Sequence, residues 1–232
     1  MNSQNKGSFR LRYSSDSVYT FNKSQYLNLS NGSGVMYIAL NKQLWNKLFR
    51  NRNDQRKAES LADVYAASDG SYVGNIVNKF HGTLLPGASN TSWLDDQPIY
   101  RFSECLLGIA EAKVLLGQDP ATEINAIRRR AYGAAYFNAN PNVQYPNETA
   151  TSAAAYYKNN PFVGGDEDPE EAVLKERFRE FLFEGKRWYD IRLFGKATKY
   201  STASERQLLW PIDENTLSTN SKLVQTPGYE VK

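Results

Sequence analysis

The sequence predicts a mainly α, tetratricopeptide-like helical scaffold with long loops and a few short strands. Three observations carry that expectation. Leu174, Phe178, Phe181, Leu182 and Gly185 fall at i, i+4, i+7, i+8 and i+11, which is one face of a 3.6-residue helix. Residues 101–132 read as two consecutive helices, close to the 34-residue period of a tetratricopeptide hairpin. The stretches 82–98 and 133–167 are rich in Gly, Pro, Asn, Ser and Ala and read as loops.

Taken in order, residues 1–40 are irregular with short strands. Phe9 to Tyr13 alternates apolar and basic residues, and Val35 to Leu40 is an apolar run behind the Asn31–Gly34 turn. Leu40 to Phe49 suits a helix with Leu40, Leu44, Leu48 and Phe49 on one face and Trp45 beside it. Arg101 to Gly117 forms the first hairpin helix, with Phe102, Cys105, Leu106, Ile109 and Leu116 expected inward. Asp119-Pro120 starts its partner, which runs to about Tyr132. One such hairpin cannot bury its own face and needs stacked neighbours.

Asp168-Pro169-Glu170-Glu171 supplies a cap, a first-turn proline and two acids for the positive end of the next helix. Gly185 is its natural stop, and Arg187 to Phe194 restarts a short helix on which Arg187 and Asp190 can pair. After Lys196 the chain is expected to be extended. Its Trp210-Pro211 and Thr226-Pro227-Gly228-Tyr229 elements end helical structure and pin the tail.

The charges are ordinary in number and mixed in sign: 28 Lys and Arg against 25 Asp and Glu, net +3. That dispersion argues against a nucleic-acid partner, and the run Arg128-Arg129-Arg130 is expected to meet acids such as Glu104 or Glu111. Arg101 and Glu104, three apart, can pair on their helix. Glu104 and Glu111 lie about 10 Å apart along it, too far for a shared-proton dyad. They read as anchors for Arg128 or for the Arg177, Arg179 and Arg187 group. Glu176, Glu180 and Glu184 recur every four residues. With no nucleophile nearby they read as solvated or arginine-paired helix charges, not as a catalytic set, which would need two carboxylates opposed across a substrate.

Single residues limit other chemistry. Cys105 is the only cysteine and His81 the only histidine, so neither a disulfide framework nor a zinc site can be assembled. Cys105 is expected to be a buried, inert thiol. No catalytic residue, metal or organic cofactor is expected. The chain holds 15 Tyr, 11 Phe and 4 Trp, which suits either a tyrosine-rich core or a stacking surface for sugars. Trp93 stands in a Gly- and Ser-rich loop and is followed by Asp95 and Asp96. That arrangement fits a sugar platform beside hydroxyl acceptors and fits equally a Trp folded back under its loop.

Four blocks together resemble the SusD/RagB family. Glu176, Arg177, Glu180, Phe181, Glu184, Gly185, Arg187, Trp188, Tyr189, Asp190, Ile191 and Arg192 match its C-terminal pattern. Arg101, Glu104, Leu107, Ala110, Glu111 and Ala112 match an Arg-x-x-Glu-x-x-Leu-x-x-Ala-Glu-Ala helix, and Asn125, Arg128 and Arg130 match the helix after it. Leu209-Trp210-Pro211-Ile212 and Gln225-Thr226-Pro227-Gly228-Tyr229 resemble the closing elements, with Asp213 where proline is usual and Thr226 where asparagine is usual. Asp54-x-Arg56 and Lys79-Phe80 are weaker landmarks.

The resemblance implies a SusD-like fold and a non-catalytic binding role at the extracellular face of the outer membrane. It implies capture of an oligosaccharide, in some members a peptide, and delivery to a SusC-like TonB-dependent barrel. The residues 1–232 then correspond to one C-terminal domain. The export signal, lipid anchor and most tetratricopeptide-like helices would lie in a first half that this chain does not contain, so membrane attachment would come only through that anchor. The matching blocks are implied to be helix-docking residues. The ligand contacts are expected upstream, with Trp93, Tyr72, Asp95 and Asp96 as the local candidates.

Overall fold

The computed structural model describes residues 19–20, 46–66, 72–77, 79, 99–149 and 164–229, with backbone only at 19–20, 61–66 and 72–77. The expected strands at 9–13 and 35–40, and His81, lie outside the described residues. Residues 46–48 are helical, and Leu48 and Phe49 are buried. The rest of the helix expected from Leu40 lies outside.

A three-stranded antiparallel sheet runs in the order β1 (Tyr19–Thr20), β2 (Leu61–Ala66), β3 (Tyr72–Val77). Helix α1 (Arg56–Ser60) leads directly into β2. Leu61 pairs with Val77 and Tyr65 with Tyr72, with an irregularity between Val64 and Tyr65. Tyr72 therefore opens a strand.

The described remainder is helical. Helix α2 (Phe102–Leu115) and α3 (Ala121–Tyr132) form the expected hairpin. Asp119 accepts the Ala121 N–H at 3.0 Å, and Gly133, at φ 76°, closes α3 where the sequence ends it. Helix α4 (Ala134–Ala139) follows. Helix α5 (Pro169–Glu180) starts as expected, with the Asp168 carboxylate accepting the Glu170 and Glu171 N–H groups. Helix α6 (Arg187–Leu193) packs on α5. The chain past Lys196 is not simply extended. It forms α7 (Ala197–Tyr200), a 3₁₀ turn (Glu205–Leu208) and α8 (Glu214–Thr219). Its end does fold back: the Gln225 side chain bonds both the N–H and the carbonyl of Ile212 at 2.9 Å, and Thr226 donates to the Trp210 carbonyl.

Two sequence expectations fail for identifiable reasons. Helix α5 stops at Glu180, not Gly185. The Glu180 carbonyl, which a continuing helix would give to the residue 184 N–H, accepts Lys79 Nζ at 2.7 Å and Arg101 Nη2 at 2.6 Å instead. The Glu184 N–H turns to Phe181, Phe183 sits at φ 65° and Gly185 at φ 76°. That tight corner lets Phe181 and Leu182 enter the core.

The second failure concerns α2. It buries Ser103, Leu107 and Ala110, while Phe102, Cys105, Ile109 and Leu116 are exposed. Cys105 is thus not the buried thiol expected. Helix α2 carries two apolar stripes, and α3 and α5 take the one with small residues, which allows close approach. The other stripe, bulkier and spaced 3-4-3-4 through Ala112, is left facing outward. The main core lies between α2, α3, α5, α6 and α7 and joins Ala110, Ile124, Val173, Leu174, Ile191, Phe194 and Ala197.

Candidate binding site and the charged scaffold beneath it

Of the four residues expected to meet ligand, Tyr72 begins β3 opposite Tyr65. Trp93, Asp95 and Asp96 lie outside the described residues. The structure places every residue of the four family-like blocks, and it joins Arg101, Glu111, Arg128, Arg130 and Asp190 to charged groups of α5 and the corner after it.

Three buried networks result. In the innermost, Arg128 is fully buried and donates from Nε to Glu176 at 2.9 Å and from its two terminal nitrogens to Asp166 at 2.7 and 2.8 Å. Arg179 forks onto Glu148 at 2.8 and 2.6 Å and donates to the Leu48 carbonyl. Lys175 reaches Asp166 at 3.0 Å and Glu148 at 3.2 Å. Arg56 donates to the other Glu176 oxygen at 2.7 Å and pairs with the buried Asp54, so four cations meet four carboxylates, the balance that buried charge requires. Burial alone would raise Glu176, yet Arg56, Arg128 and Arg179 hold it down at about 2. Glu148 likewise stays far below the usual carboxylate range despite burial, because Arg179, Lys175 and Arg128 surround it.

The second network is the corner. The Glu180 carboxylate accepts Arg56, Arg101 and Arg130. These outweigh its burial and hold it at about 2. Glu184 Oε1 accepts Lys79 at 2.5 Å and Arg101 at 2.8 Å. Arg56 also forks onto Asp54. The third network is nearer the surface: Arg177 holds Asp190 at 2.7 Å and Glu111 at 3.5 Å, and Lys186 holds Glu104 at 3.0 Å.

These geometries revise several pairings. Arg128 meets Glu176 and Asp166, not Glu104 or Glu111. Arg101 crosses to Glu180 and Glu184 instead of pairing with Glu104. Asp190 takes Arg177, while Arg187 donates to the Leu174 carbonyl and lies over the Phe178 and Tyr200 rings. Burial lowers Arg187 to about 10. The carboxylates at 176 and 180 are arginine-paired and buried, so the solvated alternative falls away. Trp188 is partly buried against the main core.

Asp54, Glu148, Asp166 and Lys175 were not singled out by charge pattern. Glu148 and Asp166 flank the Ala- and Asn-rich excursion, and their backbones bond each other at 2.7 Å. Among the described residues no group of acids, histidine or cysteine could hold a metal ion, and no helix is long and apolar enough to cross a membrane.

A model of the SusD family matches residues 12–206. Among solved structures, NanU of Bacteroides fragilis is 42% identical, with a TM-score of 0.80, over 99% of this chain and 48% of that one. A SusD-superfamily protein of Bacteroides vulgatus is 43% identical, with a TM-score of 0.75, over 98% of this chain and 47% of that one. A further SusD-superfamily protein from Bacteroides fragilis, at 22% identity and a TM-score of 0.60, shares the fold. No curated protein matches. The chain spans about half the length of the solved relatives it matches. With the match running over residues 12–206, most of its length, the chain belongs to the SusD family.

Proposed function

We propose that this chain serves non-catalytic binding of oligosaccharide at the outer cell surface and its delivery to a SusC-like, TonB-dependent outer-membrane transporter. The observation that carries this reading is the family match over residues 12–206, since the family's members are non-catalytic binding proteins of the outer-membrane surface. The buried pairing of Glu176 and Glu180 with arginines supports it. Carboxylates so neutralised and depressed are poor general acids. We assign the ligand contacts to Trp93 as a stacking platform, to Tyr72, and to Asp95 and Asp96 as acceptors for sugar hydroxyls. No cofactor is needed for such binding.

A glycan and peptide array separates this reading from a peptide-binding member of the family. Oligosaccharide hits support it, and peptide hits alone would replace it. Trp93→Ala should weaken oligosaccharide binding by about 1–3 kcal/mol, the scale of stacking on aromatic residues. Titration calorimetry with unchanged affinity would remove Trp93 from the site.

A further inference from the structure

We propose that the outer face of α2 is a self-association seam, on which a second copy of this chain docks with its own α2 antiparallel to the first.

The seam consists of Phe102, Cys105, Ile109, Ala112 and Leu116, all exposed. Their steps of three, four, three and four are the spacing of a helix that packs lengthwise on another helix. The opposite face of α2 is already taken by α3 and α5. Phe102, Ile109 and Leu116 are 77%, 48% and 73% exposed. Ile99 and Tyr100 continue the strip just before the helix, and Leu115 adds to its far end. An aromatic side chain alone offers about 150–250 Å². These large side chains together come to roughly the 800 Å² per partner of a standard interface, more than a monomer ordinarily leaves open.

Two observations favour a second copy as the occupant. The first is charge. Arg101 pairs with Glu180 and Glu184, Glu104 with Lys186, Glu111 with Arg177 and Lys113 with Glu123, all within the chain. The seam itself is uncharged, so it suits an equally neutral surface, and two copies meet without like-charge repulsion. The second is the order of side-chain sizes, which is close to symmetric about Ile109. In an antiparallel pair Phe102 falls opposite Leu116 of the partner subunit. The small Cys105 and Ala112 then leave room for the central isoleucines. Gly108, next to the centre, has open space where a Cβ would point, which lets the helices come close. A two-fold contact needs this self-complementarity, and it closes at two copies.

Sedimentation of the full chain tests this. The parent should be a dimer at micromolar concentration and a monomer when diluted. Ile109→Lys and Leu116→Lys should each weaken association about a hundredfold, the scale of a central interface position. Val224→Lys, at an apolar residue 83% exposed on the tail, should leave it unchanged. Melts of the dilute, monomeric chain should not separate these variants from the parent. The Cys105 thiol should react with a maleimide more slowly in the dimer than in the dilute monomer. A chain that stays monomeric overturns the proposal. Slow thiol reaction in that monomer would mean that the chain covers its own seam, and fast reaction that the seam serves a different partner. A dimer that survives both lysine variants, or open-ended assembly, overturns it as well. If Ile109→Lys does not fold, Leu116→Lys decides alone.

Discussion

Arg128 shows what one residue contributes here. Its guanidinium is fully buried and bonds Glu176, Asp166 and the Val143 carbonyl. Arg128→Met keeps the volume but leaves two buried carboxylates short of counter-charge. It should cost about 3–5 kcal/mol of folding stability, measured by urea denaturation. A loss under about 1 kcal/mol would show that the site hydrates or protonates freely. Lysine is no substitute, because a single ammonium nitrogen lacks the planar fork by which Arg128 grips both Asp166 oxygens while its Nε reaches Glu176. The sequence marked Arg128 as a block residue but could not name its partners. Glu176 lies 48 positions away and Asp166 38 positions away, and only the folded chain joins them. A carboxylate on a charged helix is usually solvated, and nothing local signals the exception.

At the scale of elements, α2 has two faces of opposite use. Leu107 is fully buried against Ile127 and Phe181, and Phe102 is 77% exposed. Leu107→Ala should cost about 2–5 kcal/mol. Phe102→Ala should stay within about 0.5 kcal/mol in this chain. Equal losses from thermal melts of the two would mean that something covers the outer stripe. Helix starts were legible because Asp168-Pro169 and Asp119-Pro120 act locally, and the end at Gly133 because a positive φ favours glycine. The end of α5 was not legible. It depends on Lys79 and Arg101 reaching the Glu180 carbonyl from far upstream. The inward face of α2 was misjudged because both of its stripes are apolar, so periodicity alone had two answers. At the candidate site, residue type and loop composition pointed to Trp93, which lies outside the described residues.

For the whole molecule, the depressed carboxyls set the response to acid. Glu176 and Glu180 hold at about 2 in the folded chain against an ordinary 4.5, and Glu148 lies lower still. The folded state therefore binds fewer protons than the unfolded chain. This contribution is present above about pH 4.5 and declines as pH falls, and the part from Glu176 and Glu180 is gone once pH drops through about 2. Glu111, raised by burial, opposes it from a more exposed site. Urea midpoints should be level from pH 7 to 5 and fall steeply between pH 4.5 and 3. Added salt should matter little, because these pairs are buried. A level midpoint down to pH 3 would show that the networks do not govern stability.

The Glu180 carboxylate draws its arginines from positions 124, 79 and 50 residues earlier in the chain. During synthesis all three wait for an acid that has not yet been made. The last to emerge is the one that completes the site, so the corner works as a test of completeness. A chain broken off before residue 180 leaves three arginines without their common partner, and a chain lacking any one of the donor segments leaves the carboxylate short of charge.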